Sequence, residues 1–219
     1  MTARPSPAVS PAYATDVAVS ALVLPAIIGF AAGVLSGMFG VGGGVLTTPA
    51  LRLLLGAPAL IAVGTPLPVI IPTAIAGAYS YARRGSADVR GGLAIGAWGA
   101  LASAAGALAS DLAGGVVVMV ATAVVILVMA ADMMAQALGR TPGEPRISEH
   151  HPRRGLALAL LGLVTGLYSG FLGLGGGFVL VPLLVRWFGF PIKRAIGTSL
   201  ISIALLAVPG SIAHLMLGH

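Results

Sequence analysis

Two glycine-rich stretches of this chain have the same residue types at the same spacing. The shared positions of the first stretch, each matched 133 residues later between Gly162 and Pro182, are Gly29, Gly33, Ser36, Gly37, Gly40, Gly42, Gly43, Gly44 and Pro49. A glycine cluster that precedes a helix leaves the first backbone N–H groups of that helix unpaired, and the helix dipole adds about half a positive charge there. Anions bind preferentially at such helix ends. The two clusters therefore predict a binding site for a small anion.

Hydroxyl side chains at equivalent positions are a second group of candidates. Thr65 and Thr198 follow the two clusters at the same offset, and Ser199 comes directly after Thr198. Their hydroxyl groups can donate hydrogen bonds to an anion, and the alternative is a bond to a carbonyl of their own helix. Ser36 and Ser169 are weaker candidates for hydroxyl donors to the anion. The predicted substrate-binding residues are Gly40, Gly42, Gly43, Gly44, Thr65, Gly173, Gly175, Gly176, Gly177, Thr198 and Ser199.

Catalysis is not predicted. The sequence shows no catalytic triad, no cluster of metal-ligating residues and no paired carboxylates within its apolar runs, and it contains no cysteine. We therefore expect no catalytic residues, no metal ligands and no cofactor.

Composition indicates a protein that resides in a lipid bilayer. Hydrophobic residues make up 58% of the chain and charged residues 8%, with a mean hydropathy of +1.03. So few charges do not cover the surface of a soluble domain. The formal charge of +6 comes from short basic loops between apolar runs, which are topology signals rather than a nucleic-acid interface. A multi-pass protein of the cell's inner (plasma) membrane is expected.

Apolar runs predict an all-α membrane protein, because about 20 such residues cross the hydrocarbon core as a helix. Runs free of Asp, Glu, Lys and Arg cover residues 17–51, 53–82, 91–110, 112–131, 155–185 and 195–213. The first and fifth exceed one span, and their glycine clusters are costly inside a helix. Each predicts a helix, a glycine turn and a short helix, at about residues 45–55 and 178–188, covering roughly half the hydrocarbon.

Two further sets of small residues have simpler interpretations. Gly162, Gly166 and Gly170 are spaced by four residues and predict close packing between helices rather than contact with substrate. Thr47 and Thr48 lie inside the first short helix, but their counterparts in the second are apolar.

The constant offset predicts two homologous helical repeats. We divide the chain into a disordered tail (1–16), a first transmembrane repeat (17–138), a polar cytoplasmic linker (139–154) and a second, incomplete repeat (155–219). Two helices of the first repeat lack counterparts, so a fragment is expected. An inverted arrangement places ten of the twelve Lys and Arg residues on the cytoplasmic side, and a parallel one places eight there. The positive-inside rule favours inversion.

These motifs resemble the TauE/SafE sulfite exporter family. The resemblance rests on the first glycine phrase, followed by Gly64 and Thr65, and on its second copy, followed by Gly197, Thr198 and Ser199. It covers almost all of residues 17–219. It implies a secondary transporter for small anions such as sulfite, sulfonates or organic acids.

Two classes of function remain. The first is an exporter that moves a small anion by alternating access between the two repeats, and the alternative is a non-transporting membrane subunit or truncated remnant. The expected partners are the anion and the lipid bilayer, while a coupled proton or cation and a homo-oligomer stay open. His214 is the only histidine in a predicted span, where a packed or interfacial role is the more frequent one.

Overall fold

A computed structural model describes residues 27, 29–31, 33–34, 44–54, 56, 58–138 and 154–217. The predicted tail, nearly all of the predicted linker, and Ser36, Gly40, Gly42 and Gly43 lie outside these residues. The elements are α1 (Gly44–Leu54), α2 (Ala59–Gly64), α3 (Pro66–Arg83), α4 (Val89–Ala113), α5 (Gly115–Ala137), α6 (Arg154–Leu172), α7 (Gly177–Phe188) and α8 (Ile192–Met216). Everything described between 27 and 34 is also helical.

Five stretches among the described residues are long and apolar enough to cross a membrane. They are Ala59–Arg83, which joins α2 and α3, then Val89–Ala113, Gly115–Asp132, Arg154–Leu172 and Ile192–Met216. Helices α1 and α7 contain 11 and 12 residues. At 1.5 Å per residue they cover about half of the hydrocarbon core. The prediction of an all-α, multi-pass membrane protein with short helices is confirmed.

Helices α4 and α6 pack in parallel through small residues. The position of a Cβ on Gly166 would overlap the backbone of Gly99, and one on Gly170 would overlap the carbonyl oxygen of Ser103. Only residues without a side chain allow backbones to come this close, as is common between helices in membranes. The packing role predicted for Gly166 and Gly170 is confirmed.

Helix α8 completes a tightly packed group with α4 and α3. It runs parallel to α4, and the Ser202 hydroxyl donates to the carbonyl oxygen of Gly92 at 3.0 Å. It runs antiparallel to α3, since Gly77 lies against Leu200 and Leu67 lies against Gly210. The middle of α8 is therefore enclosed by protein.

The Asp88 carboxylate contacts the starts of α4, α6 and α8. Asp88 caps α4 by accepting a hydrogen bond from the Gly91 N–H at 3.0 Å, and its other carboxylate oxygen lies 2.6 Å from Arg154 and 4.0 Å from Arg194. The Asp88 N–H donates to the Thr198 hydroxyl at 2.9 Å. We call this end of the molecule, with its arginines, the basic end.

Helix bounds in the two halves agree at the sequence offset of 133. Helices α1 and α7 begin at Gly44 and Gly177, and the spans Ala59–Arg83 and Ile192–Met216 begin and end at equivalent residues. Gly56 and Gly189 have φ angles of 64° and 65°. A glycine in this left-handed conformation ends each short helix in the same way.

Gly166→Ala should destabilise the protein, because the added methyl group would overlap the Gly99 backbone. Overpacking costs about 1–3 kcal/mol, which lowers the melting temperature of a chain of this size by roughly 5 °C. Gly155→Ala is the matched control, since open space surrounds Gly155 in the first turn of the same helix. Thermal unfolding in detergent measures both variants, and equal melting temperatures would contradict the close packing of α4 and α6.

Candidate functional site

The second glycine cluster forms a sharp turn between α6 and α7. Gly173, Gly175 and Gly176 have φ angles of 66°, 78° and 75°, a conformation that side chains with a Cβ rarely adopt. A Cβ on Gly173 would also overlap the carbonyl oxygen of Val63 in α2. The predicted break in the helix is therefore confirmed, and glycine is required there by both backbone conformation and space.

The last residue of this turn before α7, Gly176, lies beside the middle of α6. A Cβ on Gly176 would stand 3.0 Å from the Thr165 methyl carbon. Thr165 follows Arg154 by eleven residues, which is about 16 Å along α6, or half of the ~30 Å hydrocarbon core. Helix α7 then returns towards the basic end, where the Arg194 guanidinium carbon lies 4.6 Å from the centre of the Phe190 ring. The α6–α7 pair is thus a re-entrant element.

Helix α1 begins at the same place. A Cβ on Gly44 would stand 2.6 Å from the carbonyl oxygen of Gly173 and 2.8 Å from the Cα atom of Leu174. Gly44 and Gly177 are the first residues of α1 and α7. The positive end of the α1 dipole therefore packs against the glycine turn that leads into α7, in the segment where the sequence predicts an anion site.

Buried hydroxyl groups lie on α1, α4 and α6, the first and third of which adjoin this turn. Thr48 in α1, Ser103 in α4, and Thr165 and Ser169 in α6 are fully buried, and their hydroxyl oxygens have no hydrogen-bond partner among the described residues. A buried polar group without a partner costs about 1–3 kcal/mol. Such groups mark a place where water or a ligand supplies the missing bonds.

The sequence analysis gives these hydroxyls little weight. Ser169 was a second-tier candidate, Thr48 was discounted because its counterpart is Val181, and Thr165 and Ser103 were missed. One signal was present for Thr165. It lies one helical turn before Ser169, which places both hydroxyls on one face of α6.

The hydroxyls that the sequence did favour lie elsewhere. Thr65 is exposed and donates to the Ile61 carbonyl oxygen at 2.7 Å, at the junction of α2 and α3. Thr198 and Ser199 are fully buried near the basic end, and Ser199 donates to the Ile196 carbonyl oxygen at 2.8 Å. The structure does not bring Thr65 and Thr198 together. Their contact with an anion stays a prediction.

Five apolar stretches long enough to cross a membrane, together with an enclosed glycine turn after one of them, define a multi-pass membrane protein of the transporter type. The family described as "Sulfite exporter TauE/SafE" matches residues 25–219, and the chain belongs to this family of membrane transporters.

Similar proteins carry matching descriptions. The probable membrane transporter protein YunE of Bacillus subtilis is 28% identical over 219 residues, covering 90% of this chain and 79% of the relative. A probable membrane transporter protein of Methanocaldococcus jannaschii is 29% identical over 204 residues (89% and 73%), and one of Xylella fastidiosa is 30% identical over 181 residues (81% and 66%). No solved structure matches the chain.

Thr165→Val should leave the stability of the protein unchanged within about 0.5 kcal/mol, because the lost hydroxyl makes no hydrogen bond to the described protein. Ser202→Ala is the comparison, since its buried hydroxyl donates to the Gly92 carbonyl oxygen and its removal costs about 1 kcal/mol. Melting temperatures in detergent measure both variants. A loss at Thr165 as large as that at Ser202 would show that Thr165 is held by a structural hydrogen bond.

Proposed function

We propose that this protein is a secondary carrier of the plasma (inner) membrane that exports small anions such as sulfite, sulfonates or organic acids. The observation that carries the proposal is the contact inside the protein between Gly44, the first residue of α1, and Gly173 in the glycine turn that leads into α7. The family description, which names sulfite, supports this class of substrate.

Donors at this meeting point suit an oxyanion. In α7 the N–H groups of Gly177 and Leu180 donate to carbonyl oxygens of the turn, so the donors offered to an anion are the N–H groups of Phe178 and Val179, which have no acceptor within their own helix. Thr48 and Thr165 add buried hydroxyl donors. An anion with several oxygens can accept from all of these groups at once. The anion would then satisfy polar groups that are otherwise costly to enclose.

The charge of the site also supports transport rather than permanent binding. Apart from His214, the buried polar side chains among the described residues are serines and threonines, so the attraction comes from backbone dipoles rather than from Lys or Arg. Dipoles of this kind select an anion without the full charge that would hold it tightly. A carrier needs its substrate to leave as well as to enter.

Reciprocal contacts support two inverted repeats. Leu67 and Leu200 are equivalent at the offset of 133, and so are Gly77 and Gly210. Gly77 lies against Leu200, and Gly210 lies against Leu67. Such an exchange of partners is the property of a two-fold axis. Because α3 and α8 are antiparallel, the axis would lie in the membrane plane, as in carriers that work by alternating access.

Alternating access then requires that one end be closed while the other is open. The ion pair between Asp88 and Arg154 joins the starts of α4 and α6 at the basic end. We assign the present conformation to a state closed at that end. In the state that opens there, the starts of these helices must separate.

Gly176→Ala should abolish most transport, because the added methyl group strains a positive-φ position and points at Thr165. We expect at least a tenfold loss, on the order of 1.4 kcal/mol in the transport step. Gly114→Ala is the matched control. Gly114 also has a positive φ, of 79°, but open space surrounds it between α4 and α5.

The measurement is efflux of radiolabelled sulfite from vesicles that contain equal amounts of each variant. The proposal expects normal efflux with Gly114→Ala and strongly reduced efflux with Gly176→Ala. Equal efflux in both variants would place the substrate path away from the glycine turn. Absence of sulfite, sulfonate and organic-acid efflux in the unaltered protein would reject the carrier function.

A further inference from the structure

A cavity lined by one pair of opposite charges lies between α5 and α7. Its volume is about 320 Å³, and apolar side chains such as Val128 and Leu183 form part of its wall. Asp132 of α5 and Arg186 of α7 also line it, and the Arg186 Nη1 atom donates to a carboxylate oxygen of Asp132 at 3.1 Å. Cavities of this size enclose small organic ligands. None of these residues belongs to the proposed anion site.

This cavity is accessible from outside the helices, close to the basic end. Two of the side chains that line it are well exposed, Val128 at 54% and Trp187 at 38%. Arg186 lies in the last turn of α7, the helix that returns towards the basic end. Tryptophan and arginine side chains are common where a span meets the lipid headgroups. A headgroup of that leaflet can therefore reach the cavity.

Both charges of the cavity can hold a ligand without losing each other. A guanidinium group has several N–H donors, and the hydrogen bond to Asp132 uses one of them. A carboxylate accepts about four hydrogen bonds, so it can serve several partners at once. The Arg186 side chain is 46% exposed and the Asp132 side chain 29%. The ion pair is therefore open to a ligand that carries both a negative and a positive group.

Charge complementarity selects the chemistry of that ligand. Phosphate oxygens fit the planar fork of donors of an arginine, and a primary ammonium group donates hydrogen bonds to a carboxylate. A headgroup with both groups matches the cavity, whereas one with a phosphate alone brings a second negative charge beside Asp132. Choline has no N–H to donate and is recognised by cages of aromatic rings. Trp187 is the one aromatic residue among the described residues that line this cavity.

We propose that this cavity binds the headgroup of a phospholipid with a primary ammonium group, such as phosphatidylethanolamine, from the leaflet at the basic end. Arg186 binds the phosphate and Asp132 binds the ammonium group. The acyl chains then lie along the exposed apolar face of α5, where Val124 and Val128 are one turn apart and 52% and 54% exposed. The inference does not depend on the proposed transport function.

The two tryptophans of the chain make this site observable by fluorescence. Trp187 lines the cavity, whereas Trp98 in α4 is 47% exposed, lies outside the cavity lining and reports the bilayer in general. Trp98→Phe leaves Trp187 as the single tryptophan, and Trp187→Phe leaves Trp98. Each full-length variant is placed in mixed phosphatidylethanolamine and phosphatidylcholine vesicles. One of the two lipids carries brominated acyl chains, because bromine quenches a nearby indole.

Trp187 should show a preference for the lipid with the ammonium group. We expect brominated phosphatidylethanolamine to quench it as strongly as about three times the mole fraction of brominated phosphatidylcholine, the effect typical of exposed charge contacts. Trp98 should be quenched equally by both lipids. In the protein with Trp187 alone, Arg186→Gln and Asp132→Asn should each remove the preference. Arg83→Gln is the control and should retain it, since Arg83 is an exposed arginine in the last turn of α3.

Several outcomes would overturn the proposal. Equal quenching of Trp187 by both lipids would show that acyl chains fill the cavity without recognition of the headgroup, and the same preference at Trp98 would make it a property of the bilayer. Stronger quenching of Trp187 by brominated phosphatidylglycerol would show that Arg186 binds a phosphate alone. Relief of the quenching by sulfite would assign the cavity to the transported anion. These comparisons of lipids within one protein do not require the charge variants to fold, and none of them measures transport.

Discussion

Backbone groups that leave the helical conformation inside a membrane must be satisfied by protein or water, because lipid offers them no hydrogen bonds. The turn between α6 and α7 leaves that conformation inside the protein. It is enclosed by α2 through Val63, by α8 through Leu206 and by the start of α1 at Gly44. The same enclosure that makes the turn tolerable creates an interior with several buried hydroxyls that have no hydrogen-bond partner among the described residues.

Parallel helices that pack closely together enclose this turn. Their parallel arrangement also places like partial charges side by side, which is electrostatically unfavourable. The starts of α4, α6 and α8 lie together at the basic end, so their dipoles add positive partial charge beside Arg154 and Arg194. Asp88 supplies the opposing charge as the cap of α4 and as the partner of Arg154. Glycines at the α4–α6 interface allow the two backbones to approach closely, and the Asp88 carboxylate contacts the first residues of both helices.

Much of the fold follows from glycine, and sequence therefore predicts it well. The turn at Gly173–Gly177 and the bounds of α1 and α7 agree with the prediction to within a residue. Positive φ angles are adopted mainly by glycine, so the glycine positions in the sequence indicate where such turns occur. The hydroxyls do not follow from such a rule. Thr65 and Thr198 are equivalent in sequence, yet α3 and α8 are antiparallel, which separates them. Ser103 reaches the interior only through contacts between distant segments, which no local pattern specifies.

The central claim is that an anion binds where α1 and α7 begin, and a heavy analogue of the proposed substrate tests it directly. Selenite has the shape and charge type of sulfite, and its selenium atom can be located by anomalous diffraction from crystals of the protein. The account predicts one selenium site between Gly44 and Thr165, with the selenite oxygens within hydrogen-bonding distance, about 3 Å, of the N–H groups that open α7. Selenium bound at the basic end beside Arg194, with none between the two short helices, would contradict it.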